Sequence, residues 1–380
     1  MGKYFDAIKN HIEKLAYPMS FLASQHTDVE KWQDEARAEV RRLMAYNPPE
    51  TPLDAKILGE YIKDGLIYQH ISYAQPYGPR TEGILMRPEN AKGVKLPGFL
   101  GLHDHGGFKY YGKEKITAPK NPPPIMKDYQ ALYYGGRAWA SELAKRGYAV
   151  FVPDVFLWGS RKILPEDITV PERYMRQWNE RLKNYPVDSE EYIAIYNEYA
   201  GFAESDIAKT FIEAGTAWPG ATVYDDMRAV DFLSAQADVD TDNIGCAGLS
   251  GGGLRTVLLA SMDGRVKCSC CVGFMSTSSE FALHKVYTHT WMMYIPGLSN
   301  LMDFADLYSL HGKKPTMVLY DIDDDLYTPK GQEDADKRLR EIYAKMGAPE
   351  LYVGQFFPGP HKFDVEMQEI AFDFFDKWLK

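Results

Sequence analysis

Long apolar runs are missing from this sequence of 380 residues, and cysteine is scarce, with four in the whole chain. A membrane-spanning helix needs roughly 18 consecutive apolar residues, and no segment approaches that length, so we expect no membrane partner. The first residues, MGKYFDAIKN, lack a basic region that leads into an apolar stretch, so we expect no secretion signal. The sequence therefore predicts a cytoplasmic protein.

An excess of positive charge is also lacking. The net charge of −10 offers no electrostatic attraction to nucleic acid or to anionic lipid, so we expect neither as a partner. The cysteines lie in apolar stretches such as VKCSCCVGF, with no second cysteine pair and no histidine at the spacing of a zinc site. We interpret them as buried structural thiols, which fits a reducing compartment.

Apolar segments of about five residues alternate with helix-like segments in most of the chain. This alternation predicts an α/β fold with a mostly parallel sheet buried on both faces by helices. We expect the strands in these segments: LIYQHISYA, TEGILMRP, LPGFLGLHDHGG, GYAVFVPDV, NIGCAGLS, VKCSCCVGFM, PTMVLYDID and LYVGQFFPG.

Two regions depart from this alternation. Residues 1–65 predict an N-terminal helical extension, because DVEKWQDEARAEVRRLMAY begins with a capping Asp28 and carries apolar residues at helical spacing. Residues 160–220 are polar, aromatic and helix-forming, and they predict a helical cap inserted into one domain of residues 66–380.

A serine surrounded by glycines follows the apolar run that ends at Gly248. The residues GLSGG, 248–252, match G-x-S-x-G, the nucleophile elbow. A strand that turns sharply into a helix strains the residue at the turn and crowds its neighbours two positions away. Glycines at positions 248 and 252 would relieve that crowding and leave the hydroxyl of Ser250 accessible. The alternative interpretation is a glycine-rich turn with an incidental serine.

A serine hydroxyl becomes a useful nucleophile only when a base takes its proton. In folds that carry this elbow, the acid and then the histidine follow the serine along the chain. Four histidines follow Ser250: His284, His289, His311 and His361. We predict His361 as the base because its loop, FFPGPHKFD, separates the last strand from the last helix. The orienting acid belongs at the end of the preceding strand, where YDIDDDLYTP offers Asp321, Asp323, Asp324 and Asp325.

Five motifs then carry a family likeness. They are LHDHGG, RGYAVFVPDVFLWGSR, GLSGG, DDLYTP and PGPHKF, in this order between about residues 80 and 380. In this order they resemble the α/β-hydrolases of the dienelactone hydrolase and acetyl xylan esterase type, which implies the α/β-hydrolase fold. Members of that family carry D-x-x-x-P with the triad acid as its first residue. The resemblance thus implies Asp325, four residues before Pro329, with Asp324 as the alternative.

The resemblance also implies an oxyanion hole. LHDHGG stands where relatives carry the oxyanion loop, so the implied donors are the backbone N–H groups of His105 and Gly251. Asp104 stands where a glycine is common, which leaves Gly106 as an alternative donor and a candidate for substrate contact.

Two further candidates for substrate contact lie in FLWGSR. Trp158 is a candidate residue of the cavity wall, and Arg161 is either a substrate ligand or a structural ion-pair partner. A metal held by His103 and His105 would need a third ligand that their loop does not supply, so we expect no metal and no cofactor.

Taken with the triad, the resemblance implies a serine carboxylic-ester hydrolase without a cofactor. Segments 108–135 and 160–220 are rich in Tyr, Trp and Lys, which suits short acyl esters of small molecules or carbohydrates, although cap packing would explain the aromatics equally well. One alternative is an acyl-peptidase of the prolyl oligopeptidase type, against which stands the lack of propeller repeats. The other is a non-catalytic binding protein, against which stand the filled triad positions. The sequence leaves open whether the protein forms a homo-oligomer.

Overall fold

The computed structural model describes residues 3–91, 93–167 and 172–380. Its helices are α1 Lys3–Ile12, α2 Val29–Met44, α3 Pro124–Tyr134, α4 Trp139–Lys145, α5 Glu172–Leu182, α6 Glu190–Glu213, α7 Trp218–Ser234, α8 Gly251–Met262, α9 Ser278–Glu280, α10 Phe304–Ser309, α11 Pro329–Lys345 and α12 Val365–Leu379. Its strands are β1 Lys56–Lys63, β2 Leu66–Tyr73, β3 Thr81–Pro88, β4 Leu96–Gly101, β5 Ala149–Pro153, β6 Val239–Leu249, β7 Val266–Val272, β8 Thr316–Asp321 and β9 Tyr352–Phe357.

All nine strands join one sheet in the order β1-β2-β3-β5-β4-β6-β7-β8-β9. The pairs β1–β2, β2–β3 and β3–β5 are antiparallel. Every neighbouring pair from β5 to β9 is parallel. The mostly parallel sheet predicted from the apolar segments is therefore present.

Helices cover both faces of the sheet. Alternate residues of a strand point to opposite faces, and neighbouring residues of β4 accordingly belong to two separate apolar clusters. Leu100 packs in the cluster that includes residues of α7 and α8, whereas Phe99 packs in the cluster that includes residues of α4 and α12. Burial on both faces explains why these strands are continuously apolar in sequence.

The sheet begins earlier than predicted. Strand β1, Lys56–Lys63, pairs with β2 and lies inside the 1–65 segment that was predicted as a helical extension. Nearly all its side chains are exposed or half-buried, so it lacks the alternation of apolar and polar residues that marks a strand with one buried face. Helix α2 agrees with the prediction, and the Asp28 carboxylate caps it by accepting the N–H of Lys31 at 3.1 Å.

The described part of segment 160–220 contains α5 and α6, as its helix-forming sequence predicts. Within the residues that the structure describes, no helix combines the length and apolar composition needed to cross a lipid bilayer.

The parallel strands place the predicted site at one edge of the sheet. Their carboxyl ends lead into the 102–107 loop after β4, Ser250 after β6, the aspartate-rich turn after β8 and the His361 loop after β9. Because parallel strands run in the same direction, these four connections meet at one edge, where ligands bind in sheets of this kind.

Candidate active site

Ser250 occupies the sharp turn between β6 and α8. Its backbone has φ 59° and ψ −119°, a region that residues other than glycine rarely enter. A Cβ atom at Gly248 or at Gly252 would overlap the carbonyl oxygen of Leu102, in the loop after β4. The glycines therefore allow the elbow to pack against that loop, and the structure stores strain at Ser250, as such sites often do.

His361 is held by a carboxylate, but not by the predicted one. Its Nδ1 donates to Oδ2 of Asp324 at 2.5 Å, and the Asp324 side chain is only 1% exposed. Asp325 is exposed, and its backbone carbonyl accepts from Lys285. The prediction of Asp325 is therefore wrong, and Asp324, the alternative, occupies the position beside His361. The reason is the turn itself, in which Oδ1 of Asp324 accepts the N–H of Leu326 at 2.9 Å and directs the carboxylate inward.

This pairing prepares His361 to act as a base. Since Nδ1 donates to a carboxylate, Nε2 is left as the free acceptor of the neutral ring. Burial disfavours the imidazolium, but the hydrogen bond and the charge of Asp324 outweigh it, so the pKa of His361 is raised above its usual value. A raised pKa means that the ring readily accepts a proton when one is offered.

Ser250 and His361 line the same cavity, which has a volume of about 220 Å³. Within the described residues, no direct hydrogen bond joins the Ser250 hydroxyl to His361. Catalytic hydrogen bonds are often long in the absence of substrate and tighten when it binds.

The main chains of His105 and Gly251 meet beside the serine. A Cβ placed on Gly251 would lie 2.7 Å from the backbone nitrogen of His105, so the two main-chain segments are in close contact. Gly251 is the first residue of α8, and the first N–H groups of a helix have no partner within it. Neither amide N–H has an acceptor in the described part of the chain. Both are therefore available to an oxyanion formed next to Ser250.

The loop that carries His105 is fixed through its carbonyl groups. Arg255 donates to the carbonyl of His103 at 3.2 Å. The buried Lys115 ammonium donates to the carbonyls of Asp104 at 2.8 Å and of His105 at 3.0 Å. Because the carbonyls are bound by these cations, the loop is held in one orientation without using the N–H group of His105.

Asp104, the departure from the family pattern, has a structural explanation. Its buried carboxylate accepts hydrogen bonds from the hydroxyls of Tyr129 and Tyr134, and Lys115 lies 3.5 Å away. Burial alone would raise the pKa of Asp104, but Lys115 and the two tyrosines outweigh burial and lower it. These contacts of Asp104 hold the loop in place. Gly106, with φ +55°, lines the cavity.

The comparisons with known proteins identify the family of the chain. A family model described as the prolyl oligopeptidase family matches residues 178–380, more than half of the chain. The chain belongs to the prolyl oligopeptidase family. Membership makes it an enzyme of the hydrolase type, and it confirms the resemblance to α/β-hydrolases that the motifs indicated.

Individual relatives are distant but cover nearly the whole chain. A Bacillus subtilis (strain 168) protein named "Putative hydrolase YtaP" is 24% identical over 348 residues, which are 91% of this chain and 99% of the relative. A "putative acetyl xylan esterase" of Bacteroides fragilis NCTC 9343 superposes with a TM-score of 0.67 at 17% identity, over 94% of this chain and 82% of that one. A glucuronoyl esterase from Solibacter usitatus superposes with a TM-score of 0.61 at 15% identity, over 96% and 97% of the two chains. At these identities the superpositions establish the α/β-hydrolase fold.

Two predicted substrate contacts are absent from the cavity of this prolyl oligopeptidase family member. Trp158 is buried next to the 102–107 loop, where its indole N–H donates to the carbonyl of His105 at 3.3 Å. Arg161 is buried too, 3.5 Å from the carboxylate of Asp225, and it donates to the carbonyl of Tyr77. Neither side chain lines the cavity, so the prediction of substrate contact is wrong for both. For Arg161, the structural ion-pair alternative is the one observed.

The sequence did not indicate the opposite wall of the cavity. Thr288, His289, Thr290 and Met293 line it. Thr288 ends one 3₁₀ turn and Met293 ends the next, while His289 and Thr290 lie in the link between the two turns. Nδ1 of His289 contacts the carbonyl of Lys285 at 3.1 Å, and burial lowers the pKa of His289 to about 4. This histidine is therefore neutral at pH 7, and no sequence motif distinguished it from a packing residue.

A second buried carboxylate accompanies the His361–Asp324 pair. Polar atoms of Asp321, Asp324 and His361 lie within 4.8 Å of one another, and Oδ2 of Asp321 accepts the N–H of Lys362 at 3.1 Å. These atoms could contact a cation, but Nδ1 of His361 and Oδ2 of Asp324 already bond each other. Burial, reinforced by the charge of Asp324 and opposed by His361 and Lys362, raises the pKa of Asp321 to about 7. We therefore assign a proton to Asp321 below neutral pH.

Asp321 should make the stability of the fold depend on pH. In the unfolded chain its pKa returns to about 3.9, so the folded protein binds one more proton between about pH 4 and 7, and stability falls as the pH rises through that range. We expect Asp321→Asn to be more stable than the wild type by up to roughly 4 kcal/mol at pH 8, with little difference near pH 4. Urea unfolding at both pH values measures this.

The exposed Asp325→Asn variant is the matched control, and its stability should follow the wild type at both pH values. Equal stability of Asp321→Asn and wild type throughout the range would show that Asp321 is ionised in the folded protein.

Proposed function

We propose that this protein is a serine carboxylic-ester hydrolase. Ser250 attacks the acyl carbon while Nε2 of His361 takes its proton, and Asp324 holds the ring through Nδ1. His361 returns the proton to the departing alcohol, and water, activated by the same ring, then releases the acid from the acyl-enzyme. The observation that carries the proposal is the shared cavity. It places a strained serine, a carboxylate-bound histidine and two free amides together.

The backbone N–H groups of His105 and Gly251 supply the oxyanion hole in this reaction. Charge develops on the carbonyl oxygen only as the tetrahedral intermediate forms, so fixed donors at this place favour the transition state over the bound ester. The cation-bound carbonyls of the loop support this role, because a donor that is already oriented needs no reorganisation during the reaction.

The cavity supports a short acyl group. Its volume of about 220 Å³ is small beside the roughly 300–1,000 Å³ of most ligand pockets. Apolar side chains make up much of its wall: Leu249, Leu254, Phe274, Met293 and Leu326. A small apolar cavity suits acetyl or propionyl groups and has little room for long chains.

A carbohydrate alcohol is the substrate class we favour. Tyr287 and Trp291 directly flank the Thr288–Thr290 wall, and they are 81% and 41% exposed. Exposed aromatic rings next to a catalytic cavity provide apolar faces with polar edges, and the apolar face of a sugar ring can pack against such a surface. The putative acetyl xylan esterase among the structural relatives supports this substrate class.

Acyl chain length should therefore control the rate. For esters of one alcohol, we expect kcat/KM to be at least about tenfold higher for acetyl and propionyl than for octanoyl, since each methylene that a small apolar site cannot accept changes discrimination by roughly 1–3 kcal/mol. Initial rates over an acetyl-to-octanoyl p-nitrophenyl series measure this. Faster cleavage of octanoyl than of acetyl esters would contradict the short-acyl proposal.

The reaction class itself is tested by covalent labelling. A fluorophosphonate probe should modify Ser250 in the wild type, peptide mapping should locate the adduct, and a panel of acetyl, butyryl, aryl and acetylated-sugar esters should identify the alcohol. Labelling at another residue, or no turnover of any ester, would contradict the proposal.

Cleavage of peptide bonds is a second candidate, because the matching family model is that of the prolyl oligopeptidases. Against it, the described strands all belong to one sheet, with no propeller among them to restrict access to peptides. Acyl-peptide p-nitroanilides, tested alongside the ester panel, separate the two candidates by their relative kcat/KM.

A further inference from the structure

Glu204 lies on α6, in the inserted helical segment, but its carboxylate contacts both walls of the candidate active site. Oε1 accepts from Nε2 of His105 at 2.6 Å and lies 2.6 Å from the ammonium of Lys109. Oε2 accepts from the hydroxyl of Thr290 at 2.8 Å. A buried carboxylate is costly unless it is paired and hydrogen-bonded, and this one has three partners around the cavity. The ester hydrolysis proposed above does not use it directly.

The His105 ring is held from two sides. Its Nδ1 accepts the backbone N–H of Gly107 at 3.0 Å, so we assign the ring proton to Nε2, which donates to Glu204. Burial and the neighbouring charge of Lys109 lower the pKa of His105 despite Glu204, which keeps the ring neutral. With both ring nitrogens bonded, the side chain of His105 is fixed, which restricts the movement of its main chain, whose nitrogen lies close to Gly251.

Helix α6 contacts this loop at a second point. Oδ1 of Asn197 accepts the backbone N–H groups of Lys109 at 2.7 Å and of Tyr110 at 3.0 Å. Asn197 and Glu204 are seven residues apart, which places them on the same face of the helix, two turns from each other. The same face of α6 therefore holds this loop at the His105 ring and at the main chain of Lys109 and Tyr110.

We propose that Glu204 is a positioning residue for the oxyanion hole. By fixing the His105 ring, it keeps the backbone N–H of His105 beside that of Gly251. The inference rests on the proposed function, in which both groups bind the oxyanion. Since an oxyanion donor acts on the transition state more than on the bound ester, loss of Glu204 should lower kcat and leave KM nearly unchanged.

Steady-state kinetics with an acetyl ester test this. We expect Glu204→Ala to lower kcat by about tenfold to a hundredfold, since small misplacements of catalytic groups cost that much, with KM within about threefold of wild type. Glu204→Gln should recover part of the loss because its amide oxygen still accepts from His105. Affinity for phenylboronic acid, a tetrahedral mimic, should fall with kcat.

Glu198→Ala is the matched control. Glu198 lies on the same helix, in an exposed ion pair with Arg181 at 2.7 Å, so its loss perturbs α6 without touching the loop. Its kcat should equal that of the wild type. His105→Ala, which keeps the backbone N–H but removes the ring, should reproduce Glu204→Ala. The double variant should lose no more than either single one, because both remove the same contact.

Hydrogen exchange supplies a readout that does not depend on turnover. Amides of residues 105–110 should exchange faster in Glu204→Ala than in wild type and in Glu198→Ala. If no ester is hydrolysed but this exchange increases, the proposed function fails, while the contact by which Glu204 fixes the loop stands. Unchanged exchange, a kcat within twofold of wild type, or additive losses in the double variant would overturn the positioning role.

Discussion

Replacing Ser250 by alanine should reduce kcat for p-nitrophenyl acetate by about a millionfold, as loss of the nucleophile does in serine hydrolases. In the proposed mechanism the hydroxyl oxygen forms the acyl-enzyme, and no other serine or threonine side chain stands at the strained turn between β6 and α8. The free amides of His105 and Gly251 remain in the variant, so a small residual rate over water is expected. Steady-state assays with substrate in excess of the enzyme measure the loss of kcat, and the loss of fluorophosphonate labelling is a second readout.

Ser234→Ala is a matched control, since the hydroxyl of Ser234 has no hydrogen-bond partner among the described residues and lies at the end of α7. It should keep wild-type turnover and labelling. The melting temperature of Ser250→Ala should stay near that of the wild type, because the strained backbone is held by its neighbours rather than by the hydroxyl. More than a few per cent of wild-type activity in a pure preparation of Ser250→Ala would exclude Ser250 as the nucleophile.

The fold was accessible from sequence where burial leaves a periodic pattern. Strand β3 has the predicted bounds, and β8, buried along its full length, has a continuous apolar run at residues 317–320. Strand β1 has neither pattern because most of its side chains face solvent at the edge of the sheet. Its place in the sheet depends on backbone pairing with β2, which the identity of its side chains does not specify.

The site was predictable where backbone geometry restricts the residue type. Gly248 and Gly252 mark the elbow because any larger residue would overlap the loop after β4. The glycine and prolines of the segment FFPGPHKFD likewise mark the end of β9. Asp325 was chosen from a family spacing, and the local turn, in which Asp324 accepts the N–H of Leu326, selects its neighbour. The amino-acid composition of a turn does not reveal a shift of one residue in its register.

Contacts between distant segments account for the remaining differences. Trp158 and Arg161 follow β5 closely, near the edge where the site lies, yet their side chains donate to the main-chain carbonyls of His105 and Tyr77 instead of lining the cavity. Conversely, Glu204 bonds to His105 in the 102–107 loop from 99 residues away in sequence. The sequence of α6 does not distinguish the buried carboxylate of Glu204 from the solvent-exposed carboxylates on the same helix. Only the packing of α6 against the loop distinguishes them.

Replacing Asp324 by asparagine should lower kcat by roughly ten-thousandfold, the loss that follows when a triad carboxylate becomes an amide. An asparagine amide can donate to Nδ1 of His361, which moves the ring proton to Nε2 and leaves Ser250 without a base. Asp325→Asn, with an exposed side chain, should stay near wild type. Equal losses in both variants, or a larger loss in Asp325→Asn, would contradict the assignment.

The pH profile distinguishes this role from simple destabilisation. In the wild type, the hydrogen bond and charge of Asp324 overcome the effect of burial and raise the pKa of His361 above 6.5, so kcat/KM should rise with pH through a midpoint above that value as the ring loses its proton. Without the carboxylate, burial dominates, and the residual activity of Asp324→Asn should rise at a lower pH. A variant that merely unfolds would lose activity without moving the midpoint. An unmoved midpoint in folded Asp324→Asn would show that another group, such as Asp321, holds the imidazolium.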